Sequence, residues 1–191
     1  MHEMLILAVL SSGPALHKAD PALQAEVEAR GTLVERWAAD PIVVQAVREA
    51  NEKLRPMREI ELLDTMWQAT RGVDKFIRSI IDHPAAERLR ELRSSNSELQ
   101  EAFLTDRLGA NIATTNKTSD FYQGDEAKFT EAYNDGAGNV YIGTIARDES
   151  IQSFSVQIGV PVMDEGRAIG VLVVTVNAEK LKRLMDSSDS K

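Results

Sequence analysis

The groups in this chain with the most capacity for chemistry are a knot of carboxylates and one arginine. Asp120, Asp125 and Glu126 fall within a single short stretch. Paired carboxylates can serve as general acid and base, and acidic clusters can hold calcium. Here no acid–base partner accompanies them, and their spacing is not that of an EF-hand loop. Asp120 or Asp125 also suits the cap of a following helix, because its side chain accepts from the first free amides. Arg147 and Asp148 place a guanidinium beside a carboxylate within an expected turn, Arg147 to Ser150. A solvated ion pair is the plain reading of that pair, and it contributes little energy. There is no cysteine, which removes thiol nucleophiles, thiolate metal sites and disulfides together. His2, His17 and His83 are scattered without ligand spacing, so neither a zinc site nor a Ser-His-Asp triad is expected. The sequence therefore calls for no catalytic residue, no metal and no cofactor.

Length and charge narrow the field further. A chain of 191 residues can bury a self-sufficient core without covalent staples. The net charge of −8 argues against nucleic acid, which needs a clustered cationic surface, and against docking on anionic lipid. Residues 1–19 are read as a signal remnant or an N-terminal extension. Leu5 to Leu10 is an apolar run far too short to span a bilayer, and Gly13 and Ala15 are small residues at cleavage spacing. The alternative is a first strand or short helix packed on the domain.

The elements that must position these groups divide near residue 97. Over 20–97 the apolar spacing is helical. Asp20-Pro21 and Asp40-Pro41 are two successive start signals, each an N-cap aspartate before a proline whose missing N–H costs nothing. Leu23, Val27, Val34 and Trp37 fall on one face of the first helix, a heptad-like stripe that could serve a homodimer. Val43, Val44 and Val47 mark a second helix, and Ile60, Leu63, Met66 and Trp67 a third. Phe76, Ile77, Ile80 and Ile81 mark a fourth, stopped by Pro84, and Leu89 and Leu92 carry a charged helix to Ser94.

Over 98–186 the pattern is that of strands. Asp106 to Gly109 turns a hairpin between Ala102–Thr105 and Ile112–Thr114. A short helix over 125–133 leads to a strand over 140–145. Phe154, Val156, Ile158, Val160 and Val162 then alternate with smaller or polar residues, as a half-buried strand does. Asp164-Glu165-Gly166 turns into Ile169–Val176, an almost unbroken apolar run that should lie centrally with both faces covered. The fold class is α+β: a long N-terminal helical section packed on a five-stranded antiparallel sheet, 20–186 as one domain, with 187–191 as a loose tail.

Several stretches, in order, resemble the Cache (PDC) sensor domains. They are Thr105-Asp106, Gly109-Ala110-Asn111, Thr114 through Glu126 (TTNKTSDFYQGDE), Val140 to Gly143, Arg147 to Ser150, Val160 to Asp164 and Ile169 to Leu172. Ala39-Asp40-Pro41, Ala50-Asn51 and Trp67 to Thr70 resemble the family's helical section, so the similarity covers about 30–181. The resemblance implies a PAS-like sheet and a small ligand held between the sheet and the segment after the second strand. It implies Phe121 and Tyr122 as pocket walls, the Tyr122 hydroxyl as a polar handle, and Asp125 nearby. Tyr141 and Arg147, at period two, would share a strand face, Arg147 gripping a carboxylate and Asp148 receiving an amine. Lys128-Phe129 stand where many relatives carry paired tryptophans. Thr175 is the nearest match to the last-strand aspartate of amino-acid-binding members.

The function so implied is an extracytoplasmic (periplasmic or secreted) sensor of a carboxylate, amine or amino acid, working with a membrane receptor as a soluble binding protein or as an input module. Closure of 116–128 over the sheet would alter the N-terminal helix. The rival from another class is a PAS-like interaction or dimerisation module whose pocket is filled by side chains such as Phe121, Tyr141 and Phe154.

Overall fold

The two aspartate–proline pairs start helices as expected. The computed structural model describes residues 20–148 and 152–188. In it α1 runs Pro21–Ala38 and α2 Pro41–Glu52. The Asp20 carboxylate accepts from the amides of Ala22 and Leu23, at 3.1 and 3.2 Å, and Asp40 from that of Ile42, at 3.0 Å. Losing a cap of this kind costs about 1 kcal/mol. Three further helices follow: α3 (Met57–Ala69), α4 (Lys75–Ile81) and α5 (Pro84–Ser94). Pro84 does more than stop α4; it opens α5 behind a His83 cap.

That cap carries a pH dependence. His83 Nδ1 accepts from the amide of Ala85 at 3.1 Å, which requires an unprotonated nitrogen. Burial, and then the charge of Lys53, push the His83 pKa below its ordinary value of 6.5, with Glu49 opposing them. As pH falls the unfolded chain takes up this proton before the folded one does. The stabilisation is present above 6.5 and is lost as pH falls from there toward the folded value. The urea midpoint should therefore drop between about pH 7 and about pH 5, and the drop should shrink in His83→Asn, which caps without titrating. An equal drop in both proteins would assign it to other groups.

The sheet has six strands: β1 (Leu99–Thr105), β2 (Asn111–Thr114), β3 (Tyr141–Ile142), β4 (Ala146–Asp148), β5 (Ser153–Asp164) and β6 (Arg167–Asn177). All pairings are antiparallel and the order is β2-β1-β6-β5-β3, with β4 also on β5. Of the expected strand over 140–145 only Tyr141–Ile142 is strand, and the chain returns to β5 just beyond it as β4. Arg147 and Asp148, expected in a turn, belong to β4, and the other two residues of that expected turn, 149–150, lie outside the described residues. Ile142 faces Ile158 and Ala146 faces Ser155, so four steps on one side answer three on the other. One extra residue reverses which face the following side chains occupy. Glu165 and Gly166, both at positive φ, close the hairpin between β5 and β6.

β6 lies at the centre and is covered on both faces. On one, Leu172, Val174 and Val176 pack with Leu23, Val27, Val34 and Trp37 of α1 and with α2 and α5. On the other, Val171 and Val173 meet Phe103 and a short helix, α6 (Ala127–Tyr133). The α1 stripe is 0% to 4% exposed. It is spent on the core, so it offers no surface for a homodimer, contrary to expectation. A last helix, α7 (Ala178–Ser188), was not foreseen from the patterning. Ser187 and Ser188 continue it where a loose tail was expected. Leu181 buries into the core, and Lys182 bonds the Asp20 cap at 2.9 Å, tying both ends of the fold together. Residues 1–19, with the expected signal remnant, and residues 189–191 lie outside the described residues. Among the described residues no helix is long and apolar enough to cross a membrane.

Candidate functional site

The segment after β2 is anchored on the helices rather than arched over the sheet. The amides of Phe121 and Tyr122 both donate to Asp64 Oδ1 of α3, at 2.7 and 3.0 Å. Trp67 Nε1 donates to the Thr118 carbonyl at 2.8 Å, and Lys117 Nζ to that of Thr70 at 2.7 Å. On its other side the segment runs along the β2 edge: Asn111 N–H donates to Phe121 O, and Gln123 N–H to Gly109 O. Phe121 is fully buried among Trp67, Phe76, Ile60 and Ile77. Its ring centroid lies 5.8 Å from Trp67 and 5.3 Å from Phe76. It is a core residue here, not a pocket wall.

Tyr122 is half-buried against the same cluster. Burial, and then the charges of Asp125, Glu61 and Asp106, hold its phenol above the ordinary pKa. Asp125 is exposed. Neither Asp120 nor Asp125 caps α6, whose N-cap position is Glu126 and which has no side-chain cap bond. Asp120 instead accepts from the Ser119 hydroxyl at 2.6 Å.

Tyr141 and Arg147 border one cavity, but they do not share a face as period two implies. Tyr141 stands opposite Gly159 and Arg147 opposite Phe154, which belong to opposite faces of β5. The extra residue between β3 and β4 causes this. Gly143 N–H still donates to Gln157 O at 2.9 Å, and where the chain then leaves the ladder an open cavity of about 400 Å³ forms, lined by Tyr141, Gly143, Thr144, Ala146, Arg147, Ser155 and Gln157. Arg147 is exposed, and its Nη2 donates to Gln152 Oε1 at 3.3 Å. Thr175, buried, is the ladder partner of Gln157, and Asp148 pairs with Ser153 at the far end of β4.

The structure thus sets Tyr141 and Arg147 on the border of one cavity, from opposite faces of the sheet, while Thr175 lies one strand inward and outside its lining. Phe121, Tyr122 and Asp125 lie elsewhere. Ser155 and Gln157 were missed because polar positions on an alternating strand read as its solvent face. Tyr141, Ser155 and Gln157 belong to one face of the sheet and Arg147 to the other, so a phenol, a hydroxyl and an amide share the groove while Arg147 borders it from across the sheet edge. Such polar groups can orient a small polar molecule. They include no nucleophile with a base. Among the described residues no group of three or more carboxylate or imidazole side chains could hold a metal ion.

The sheet face beside the groove is closed. Phe129 and Ala132 of α6 sit on Phe103, Val171 and Val173. Lys128, also buried, pairs with Glu126 at 2.7 Å and lies 5.6 Å from the Phe103 ring centre.

Neither a family model nor a curated protein matches the chain. Solved sensor domains do. The sensor domain of the V. cholerae histidine kinase DctB is 15% identical, with 85% of this chain and 60% of that one covered and a TM-score of 0.42. The ligand-binding domain of the Campylobacter jejuni chemoreceptor Tlp3, in complex with L-norvaline, is 18% identical, with 87% and 66% covered and a TM-score of 0.43. That of the Pseudomonas aeruginosa amino acid chemoreceptor PctC, in complex with GABA, is 13% identical, with 87% and 65% covered and a TM-score of 0.39. The chain spans 60% to 66% of the length of these three domains.

Proposed function

We propose that this chain is an extracytoplasmic small-molecule sensor domain of the Cache type, which binds its ligand in the groove between β3, β4 and β5. The observation that carries this is one open cavity lined by Tyr141, Ser155 and Gln157 from one face of the sheet and bordered by Arg147 from the other. The motif run from Thr105 to Leu172 supports the family. The ligand is a small carboxylate or amino acid: Arg147 holds its carboxylate, Tyr141 flanks its body, and Gln157 and Ser155 orient the remaining polar groups. The partner that reads out binding is a membrane receptor, of which this domain is a part or to which it docks.

A thermal-shift screen against carboxylates, amino acids, amines and purines tests the proposal. A ligand at a hundredfold excess over its Kd stabilises the folded state by about 2.7 kcal/mol. Arg147→Ala should weaken a hit about 10-fold to 100-fold, since a charge-assisted pair is lost, while the ligand-free melting temperature stays put because Arg147 is exposed. Binding indifferent to Arg147→Ala would sink the groove as the site.

The second reading, an interaction module with a filled pocket, is favoured by one observation. The face beneath α6 is packed with Phe129, Phe103 and Val173. No shift with any compound, in protein freed of carried-over ligand, would decide for it.

A further inference from the structure

The inner face of α3 is accounted for. Ile60 and Trp67 are 0% exposed, Leu63 packs with them, and Asp64 takes the amides of Phe121 and Tyr122. The outer face is not. At about 100° per residue, Leu62, Met66 and Ala69 fall within about 60° of one another on the side away from Ile60 and Trp67. Leu62 is 59% exposed and Met66 49%, and Ala69 is exposed as well. A surface helix ordinarily turns charged and polar residues outward. The departure is local. Of the eight large hydrophobic residues exposed among the described residues, five (Leu54, Met57, Leu62, Met66 and Val73) lie on α3 or within four residues of its ends. Scattered singly they would need no explanation; gathered along one helix they mark a surface for a partner.

The charges beside the stripe identify that partner. Arg58, Glu61 and Arg71 are exposed, and among the described residues none of them has a hydrogen bond or ion pair to its side chain. Asp74 caps α4 through one oxygen and keeps the other. Let α3 lie antiparallel on α3 of a second copy, with a twofold axis at the middle of the stripe, between Thr65 and Met66. Leu62 then covers Ala69 of the second copy, large on small, as packed helices require. In that register Glu61 stands level with Thr70 of the second copy, one residue from its Arg71. Arg58 stands level with Val73 of the second copy, one residue from its Asp74. The apolar residues alone set the register, and it brings opposite charges together at both ends of the stripe. A parallel pairing would instead set Glu61 on Glu61 and Arg58 on Arg58.

We propose that α3 is a self-association surface, through which two copies of this chain pair antiparallel about a twofold axis. The helix has 13 residues and is about 20 Å long, so the interface is at the low end of size and the dimer is weak. The surface belongs to the β2 end of the sheet, away from the groove at β3 and β4, and the inference does not rest on the ligand reading.

Sedimentation equilibrium of the whole chain tests it. Runs from about 10 µM to about 1 mM, at about 0.15 M salt, screen the repulsion between two copies of charge −8. The parent should pass from monomer to dimer across that range. Leu62→Glu should weaken association by about 100-fold or more, because it sets a carboxylate in the apolar contact. Leu184→Glu, at an exposed position of α7, should leave it unchanged. The deciding pair is Glu61→Arg and Arg71→Glu. Each alone sets like charges together at two places in the dimer and should weaken it about 10-fold; the double reversal restores opposite signs and should recover most of the loss. All four positions are exposed, so the melting temperature of the monomer should hold. A parent that stays monomeric at about 1 mM would overturn the proposal and leave the stripe to a different protein. A dimer that survives Leu62→Glu, or a double reversal no tighter than the single ones, would overturn it as well.

Discussion

Trp67→Ala should destabilise the fold by about 3–5 kcal/mol and release the segment that joins β2 to α6. Trp67 is 0% exposed, meets Phe76 edge-on at 6.2 Å and lies 5.8 Å from Phe121. Truncation leaves a cavity that two other large rings cannot fill without leaving their rotamers. It also strips the Thr118 carbonyl of its donor. Segment 116–123 is held to the helices by few bonds: that one, the Lys117 link to Thr70, and the two amides on Asp64. Urea denaturation reads the first effect, and hydrogen exchange at the Phe121 and Tyr122 amides reads the second. Trp67→Phe should restore most of the packing but not the bond, recovering stability while leaving exchange at those amides faster than in the parent. A loss below about 1 kcal/mol in Trp67→Ala would mean that the helical section tolerates an empty centre. The segment would then be far looser than its bonds suggest.

The second large effect is expected at Gly159, where α6 rests directly on β5. A Cβ on Gly159 would lie 2.3 Å from the Lys128 carbonyl oxygen and 3.2 Å from the Ala132 Cβ. The first of those atoms belongs to backbone, so no side-chain rotation relieves the clash. Gly159→Ala should cost about 1–3 kcal/mol as overpacking, or lift α6 off the sheet. In the second case amide exchange rises at Phe129 and Thr130, while the α1 face stays protected. Gly159→Val should enlarge both responses. The result bears on the proposed function, because a seated α6 covers the sheet at Gly159 and leaves no space for a ligand beneath it there. A neutral Gly159→Ala with α6 still protected would mean that the helix rides above the sheet, and a ligand could then lie beneath it.

The candidate site was only partly legible. Tyr141 and Arg147 were expected on one face because period two was counted through residues 141–147. The backbone inserts one residue against β5, and counting cannot see an insertion that only the partner strand reveals. Phe121 was expected at a pocket, since an aromatic beside polar loop residues reads equally as wall or as core. The Asp64 carboxylate, fifty-seven positions earlier, turns it inward. α7 was overlooked because Leu181, Leu184 and Met185 sit among charges and serines. Their helical value appears only where Leu181 meets the core.

By itself, the amino-acid sequence determined the local elements and their faces. Aspartate–proline pairs start helices because capping is settled within a few residues. The alternation over 154–162 and the apolar run over 169–176 mark a half-covered and a central strand because burial imposes its period on the chain. What only the tertiary structure decided is which residues meet. The α1 stripe became core instead of interface, and one unpaired residue carried Arg147 to the other face of the sheet. The amide oxygen of Asn111 was buried without a donor. Such outcomes follow from register, from segments far apart in the chain and from the volume left between packed elements, none of which a local pattern encodes.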